Sequence, residues 1–200
     1  EAKKIAGFLK VGHLVMPFKI MSREDFLLNT RQRCYYCKHE LFTRLLELGK
    51  KHGLPVVLEG SNYDDLNEYR PGLIAARECG VKSPLLKAGM TKQEIRLLSR
   101  VWGLPTWNRN ASPCLATRFP YGERVEPEGL QRVERAELFL SQLGFKQDLR
   151  VRCHGALARI EVPVSEQSQV LAQREIISGF LKQLGFQYIA LDLQGFQSGS

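Results

Sequence analysis

The 200-residue sequence has no apolar run near the roughly 20 residues that a bilayer-spanning helix needs, and no export signal is expected. A membrane-embedded protein is not expected. No low-complexity tract is present, which argues against a linker or a disordered tail. Nor is there a polybasic block, although the net charge is +8. Dispersed positive charge favours anionic partners such as nucleotides, phosphates or RNA without choosing among them. The cysteines are few and odd in number: Cys34, Cys37, Cys79, Cys114 and Cys153. Five thiols cannot all pair within one chain. With no export signal they are expected as reduced thiols in a cytoplasm, acting as ligands, nucleophiles or core residues.

What is present suits a globular α/β protein. Hydrophobic residues make up 44%, enough for one large core or two small ones. Ile5, Phe8 and Leu9 have helical spacing, and Leu14–Ile20 reads as a strand with Pro17 at an edge. Ser22-Arg-Glu-Asp25 resembles a capping box. A polar basic loop, Asn29–Cys34, leads into a helix from Tyr35 to about Lys51. Pro55–Glu59 reads as a buried strand, and Gly60-Ser61-Asn62 after it fits the ligand-binding carboxyl edge of a parallel sheet. Pro71 opens a helix ending at Glu78, and Thr91–Glu94 is a capping box for a helix to about Trp102. Beyond Gly122 the texture changes. A helix starts at Pro127, strands follow at Leu149–Cys153 and Leu157–Val162, then a helix over Ser165–Leu184 and a strand at Tyr188–Leu193. Leu-Gly-Phe occurs at 143–145 and again at 184–186, each time between a helix and a strand. The expected organisation is one domain over 1–122 and a small α+β domain over 123–200.

The candidate sites cluster in a few stretches. Cys34 and Cys37 have the spacing of half a zinc site, a redox pair or part of an iron–sulfur site. Cys79, Cys153, His39 and His154 are possible further zinc ligands, but none lies in a matching half-site, and Cys79 and Cys153 read as packing residues. Cys114 and Arg118 lie four residues apart in the loop Ser112–Gly122, pairing a soft ligand with an anion-binding cation. Arg150 and Arg152 project from one strand face, and with Arg70 and Arg118 are candidate clamps for phosphate or carboxylate. Asp64, Asp65 and Glu68 are candidate magnesium ligands. Glu137 lies on the helix opened by Pro127, where a solvated face is the default.

Taken together, Gly60-Ser-Asn62, Asp64-Asp65, Glu68-Tyr-Arg-Pro-Gly72, Arg118-Phe-Pro-Tyr-Gly122, Arg150-Val-Arg152 and Leu191-Asp-Leu-Gln-Gly-Phe-Gln-Ser-Gly199 resemble the LarE-type ATP-dependent sulfur transferases of the PP-loop superfamily. The resemblance runs over essentially the whole chain. It implies a Rossmann-like PP-loop nucleotide-binding domain over 1–122, truncated at its start, with the α+β domain behind it. It also implies a reaction. A carboxylate of a pyridinium-3,5-dicarboxylate mononucleotide is adenylylated with ATP and magnesium, then converted to a thiocarboxylate on the way to the nickel-pincer nucleotide cofactor. Adenylylation makes a carboxylate oxygen a good leaving group, so that sulfur can attack. In some members a loop cysteine is sacrificed, and here that position aligns with Pro113. Other members hold a [4Fe-4S] cluster on three cysteines, the pattern matched by Cys34, Cys37 and Cys114.

By the same resemblance Gly60, Asn62, Asp64, Asp65 and Arg70 would bind the nucleotide cofactor. Cys114 and Arg118 would be catalytic, with Arg118 beside the substrate, and Arg150, Arg152 and Glu137 would hold the substrate phosphate or an anion at a subunit interface. Glu137 also matches a family position near an inter-subunit metal and anion site, and Gln169 stands nearest to where the other acidic partner of that site is expected. The implied partners are ATP, a small-molecule nucleotide substrate, sulfide or a sulfur donor, and further copies of the chain in dimers assembled into a hexamer. The family's Ser-Gly-Gly-x-Asp-Ser phosphate loop is missing from these residues, so the chain alone is expected to be inactive. Two rival readings are a tRNA-thiolating PP-loop enzyme and a zinc-stabilised nucleic-acid-binding module. The sequence shows no RNA-stacking aromatic platform for the first, and metal content would separate the second, in which Cys34, Cys37 and Cys114 are structural, from the cluster reading.

Overall fold

The computed structural model describes residues 2–109, 112–145 and 148–197, which form two units. One comprises residues 2–26 and 32–109, the other residues 27–31 and 112–197. The architecture is mixed α/β, mostly helical, with a small three-stranded mixed sheet. No helix among the described residues is long and apolar enough to cross a membrane.

The first unit is built on α3 (Arg33–Lys51), preceded by α1 (Ala2–Leu9) and α2 (Glu24–Leu27) and followed by α4 (Pro71–Glu78), α5 (Pro84–Lys87) and α6 (Lys92–Val101). Phe42 of α3 packs with Ala75 and Ala76 of α4 and with Val81, joined by Tyr35, Leu45, Val57 and Cys79. Small alanines on α4 let the two helices approach, while Pro71 at the first helical position has no amide to leave unpaired. The capping box at Thr91 is present in full: its hydroxyl accepts from the Glu94 amide, and the Glu94 carboxylate accepts from the Thr91 amide. A second one, not anticipated, joins Asn62 and Asp65 around a 3-10 turn, Tyr63–Asn67.

Three local expectations are corrected here. Leu14–Ile20 is not a strand: no strand pairs with it among the described residues, and Leu14 and Val15 are exposed. Apolar alternation marks a candidate strand, but only a hydrogen-bonded neighbour makes one. Ser22 is not a helix cap, since it lies in a 3-10 turn and its hydroxyl donates to the Lys19 carbonyl. Pro55–Glu59 contributes a single parallel bridge, Leu58 to Lys82, and Val56 and Leu58 stay exposed rather than buried.

The second unit holds α7 (Pro127–Gln142), β1 (Arg150–His154), β2 (Leu157–Glu161), α8 (Gln167–Ala172), α9 (Arg174–Gln183) and β3 (Tyr188–Leu191). β1 and β2 form an antiparallel hairpin, and β3 joins β2 in parallel. Val151, Cys153, Ala158 and Ile160 are buried in a core shared with Val133, Ala136 and Leu140 of α7 and Ile177 and Leu181 of α9. Strand alternation then puts Arg150, Arg152, Arg159 and Glu161 on the opposite face. Both Leu-Gly-Phe segments end their helices in the same way. Gly144 and Gly185 take positive φ, the next amide returns to the carbonyl of Leu140 or Leu181, and Phe145 and Phe186 drop into the core. The expected single helix over 165–184 is instead a 3-10 turn, α8 and α9. Gln173 leaves helical geometry between them, with Val170 buried on one side and Ile177 on the other.

Candidate functional site

In the second unit the loop 112–122 is held from several directions. Asn29, fully buried, donates from its side chain to the carbonyl of Pro120 at 2.7 Å, and its own carbonyl accepts from the Gly122 amide. Asn29 has φ of 50°, a left-handed conformation that asparagine tolerates better than most residues. The loop thus presents Cys114, which is exposed, at the start of a 3-10 turn, Leu115–Arg118. Arg118, by contrast, is 3% exposed. Its Nε and Nη2 donate to the two carboxylate oxygens of Glu137 at 2.7 and 3.0 Å, a guanidinium fork on a carboxylate. Nη1 donates to the Thr117 hydroxyl at 2.8 Å. Oε1 of Glu137 also accepts from the Val151 amide at 3.0 Å, which anchors the pair to the sheet. Glu137 is therefore not on a solvated helix face.

Two further guanidiniums converge here. Arg152 donates from Nε to Glu161 at 2.9 Å and from Nη1 to the Thr117 carbonyl at 2.8 Å. Arg150 lies over the ring of Phe196, 5.0 Å from its centroid. Burial holds the Arg150 guanidinium below the ordinary arginine range, and repulsion from Arg118 and Arg152 adds to this. Cations crowded together in this way favour an incoming anion, which would relieve the repulsion. An exposed sulfur, two buried arginines and the carboxylates that orient them, Glu137 for Arg118 and Glu161 for Arg152, thus lie within one unit.

The first unit carries the other predicted residues. Cys34 and Cys37 lie one turn apart near the start of α3, Cys34 exposed and Cys37 half-buried. Asp65 accepts from the Asn62 amide and pairs with Arg70, which also pairs with Glu68. Asp64 accepts from the Lys92 amide at the first turn of α6. Glu59, which the sequence did not single out, accepts from Ser61 and from the Ser83 hydroxyl beside Gly60. Among the described residues no three His, Cys, Asp or Glu side chains converge on a metal position; Cys34 and Cys37 belong to the first unit, Cys114 to the second.

The two remaining cysteines are packing residues, as expected. Cys79 lies against the Phe42 core, and Cys153 is 1% exposed. Burial pushes the Cys153 thiol up, while a hydrogen bond from Arg132 partly opposes the shift. A cleft of about 520 Å³ lined by Phe119, Arg132, Arg135 and Cys153 holds none of the residues expected to bind the nucleotide, the substrate or the cluster. Asn29, Thr117 and Glu161 were missed by sequence reading. No local motif marks them, and each is defined by a partner distant in the chain or by a backbone carbonyl.

No protein-family model matches the chain. Three relatives do. An uncharacterized protein of Synechocystis sp. is 43% identical over 203 residues, covering 100% of this chain and 75% of the relative. An uncharacterized protein of Methanocaldococcus jannaschii is 32% identical over 90% of the chain and 70% of its own length. The pyridinium-3,5-bisthiocarboxylic acid mononucleotide synthase of Lactiplantibacillus plantarum is 39% identical over 86% of the chain, which spans 62% of that synthase. The chain belongs to the protein family of the Synechocystis and Methanocaldococcus proteins and is homologous to the LarE-type synthase.

Proposed function

We propose that the chain is part of an ATP-dependent sulfur transferase that thiolates a pyridinium-3,5-dicarboxylate mononucleotide, with Cys34, Cys37 and Cys114 holding a [4Fe-4S] cluster. The observation that carries this is the exposed Cys114 whose carbonyl accepts from the buried Arg118 at 3.5 Å, in a chain homologous to a synthase of the bisthiocarboxylic acid mononucleotide. In this reading the first unit is the PP-loop nucleotide-binding part. Asn62, Asp64, Asp65 and Arg70, with Gly60, form its ATP and magnesium edge. A substrate carboxylate attacks the α-phosphorus of ATP and pyrophosphate leaves. Sulfide then attacks the acyl carbon, and AMP leaves with the bonding electrons of the C–O bond. Arg118 and Arg150 offset the negative charge of the phosphate and of the attacked carboxyl oxygen.

The cysteines suit the cluster in kind. Cys34 and Cys37 offer sulfurs from one helical turn, and Cys114 stands exposed on its loop. When bound, a cluster with three protein ligands supplies an iron able to carry the added sulfide. Anaerobically prepared protein that includes a phosphate-binding loop tests this by its iron, zinc and labile sulfide content. About four irons and at least four sulfides per chain are expected. Cys34→Ala, Cys37→Ala and Cys114→Ala are each expected to lose the iron, and Cys79→Ala and Cys153→Ala to keep it. Stoichiometric zinc without iron would overturn the cluster reading.

A further inference from the structure

Glu161 belongs to none of the motifs above, yet it is 2% exposed and carries a carboxylate. A buried carboxylate is costly unless cations and hydrogen bonds compensate it. Its Oε1 accepts from Arg152 Nε and Arg159 Nη2, both at 2.9 Å. Arg152 and Arg159 are directly opposite each other across the β1–β2 ladder. Like charges at opposed positions repel, and Glu161 is the one acid on this face of the two strands. One oxygen shared between two guanidiniums offsets that repulsion and fixes the direction of the Arg152 fork.

That direction has a consequence in the loop. The Arg152 Nη1 donates to the Thr117 carbonyl at 2.8 Å. Both the amide and the hydroxyl of Thr117 donate to the Cys114 carbonyl, at 2.9 and 2.8 Å. The same hydroxyl accepts from Arg118 Nη1 at 2.8 Å. A continuous line of bonds therefore runs from Glu161 through Arg152 and Thr117 to the backbone of Cys114 and the side chain of Arg118.

We infer that Glu161 is a positioning residue for the Cys114 loop, acting through Arg152, whose guanidinium braces Thr117. Its catalytic importance rests on the sulfur-transfer reading above; the brace itself does not. The test is peptide-resolved amide hydrogen exchange on the full chain, with Glu161→Gln, Arg152→Lys and the double variant. Lysine keeps the charge of Arg152 but lacks the fork that spans Glu161 and Thr117. Each single variant is expected to speed exchange at Thr117 about tenfold, with Val133 and Leu140 in α7 unchanged and the double no faster than the singles. Unchanged Thr117 exchange in both singles, or equal acceleration throughout α7, would overturn the brace. In thiolation assays with the phosphate-binding loop supplied, kcat is expected to fall about tenfold while KM for ATP stays within about twofold. A loosened loop with unchanged kcat would overturn the positioning role. Absence of thiolation in the unsubstituted protein would instead count against the proposed function and leave the exchange result standing.

Discussion

Removing the Glu137 carboxylate is the most direct test of how the second unit holds its site. Arg118 and Glu137 have side-chain exposures of 4% and 17%, so the pair is largely dry. An exposed ion pair is worth about 0–1 kcal/mol. Deleting one partner of a buried pair costs about 3–5 kcal/mol, because the other charge is left uncompensated. Since Glu137 keeps some solvent access, Glu137→Ala is expected near the lower end, about 3 kcal/mol. Part of that loss is the Val151 amide, left without its acceptor, at about 1 kcal/mol or more. The choice of assay matters. Both tryptophans, Trp102 and Trp107, belong to the first unit, so indole fluorescence would follow unfolding of the other half. Amide exchange of β1 in the second unit reports the relevant free energy. The double variant Arg118→Met with Glu137→Leu removes both charges and is expected to recover all but about 1–2 kcal/mol, the residue being the orphaned amide. A Glu137→Ala loss below about 1 kcal/mol would refute the argument, because the pair would then behave as a surface bridge.

Two other predictions follow from single contacts. The Tyr35 hydroxyl donates to Glu78 at 2.6 Å, and this bond, with the nearby negative charge, holds the phenol above the ordinary tyrosine range. Its stabilising contribution is present below the ordinary tyrosine pKa and is lost as pH rises through the raised folded value. Alkaline difference spectra against Tyr35→Phe should show a midpoint that falls on Glu78→Gln; an unmoved midpoint would sink the assignment. Gly195 has φ of 73°, and an added Cβ would lie 2.9 Å from the Val162 carbonyl oxygen, whereas Gly122 has φ of 86° with open space around it. Gly122→Ala should lower stability only by the backbone penalty of roughly 1–2 kcal/mol, and Gly195→Ala, which adds the close approach to that same penalty, should lower it clearly more, by about 3 kcal/mol. Equal losses would show that the close approach at Gly195 is not felt.

Much of the second unit was legible because its signals are local and strong. Pro127 at a helix start, two Leu-Gly-Phe stops and alternating strands each follow from backbone chemistry within a few residues. In the first unit the Thr91 cap was legible for the same reason. Leu14–Ile20 and Pro55–Glu59 were not, because alternation or apolarity marks a strand only where a neighbour supplies the ladder. Arg118 and Glu137 were both picked out from the sequence, but nothing in it showed that they form one fork, since they are 19 positions apart and lie on different elements.

The sequence by itself determined where the chemistry-bearing residues lie in the chain and on which strand face Arg150 and Arg152 stand. Residue type and two-residue alternation are properties of the chain alone. The tertiary structure decided which of these cations are buried, which carboxylate each one faces, and that Asn29, Thr117 and Glu161 belong with them. Those choices depend on desolvation and on hydrogen bonds to backbone atoms. Both arise only when distant segments are packed together.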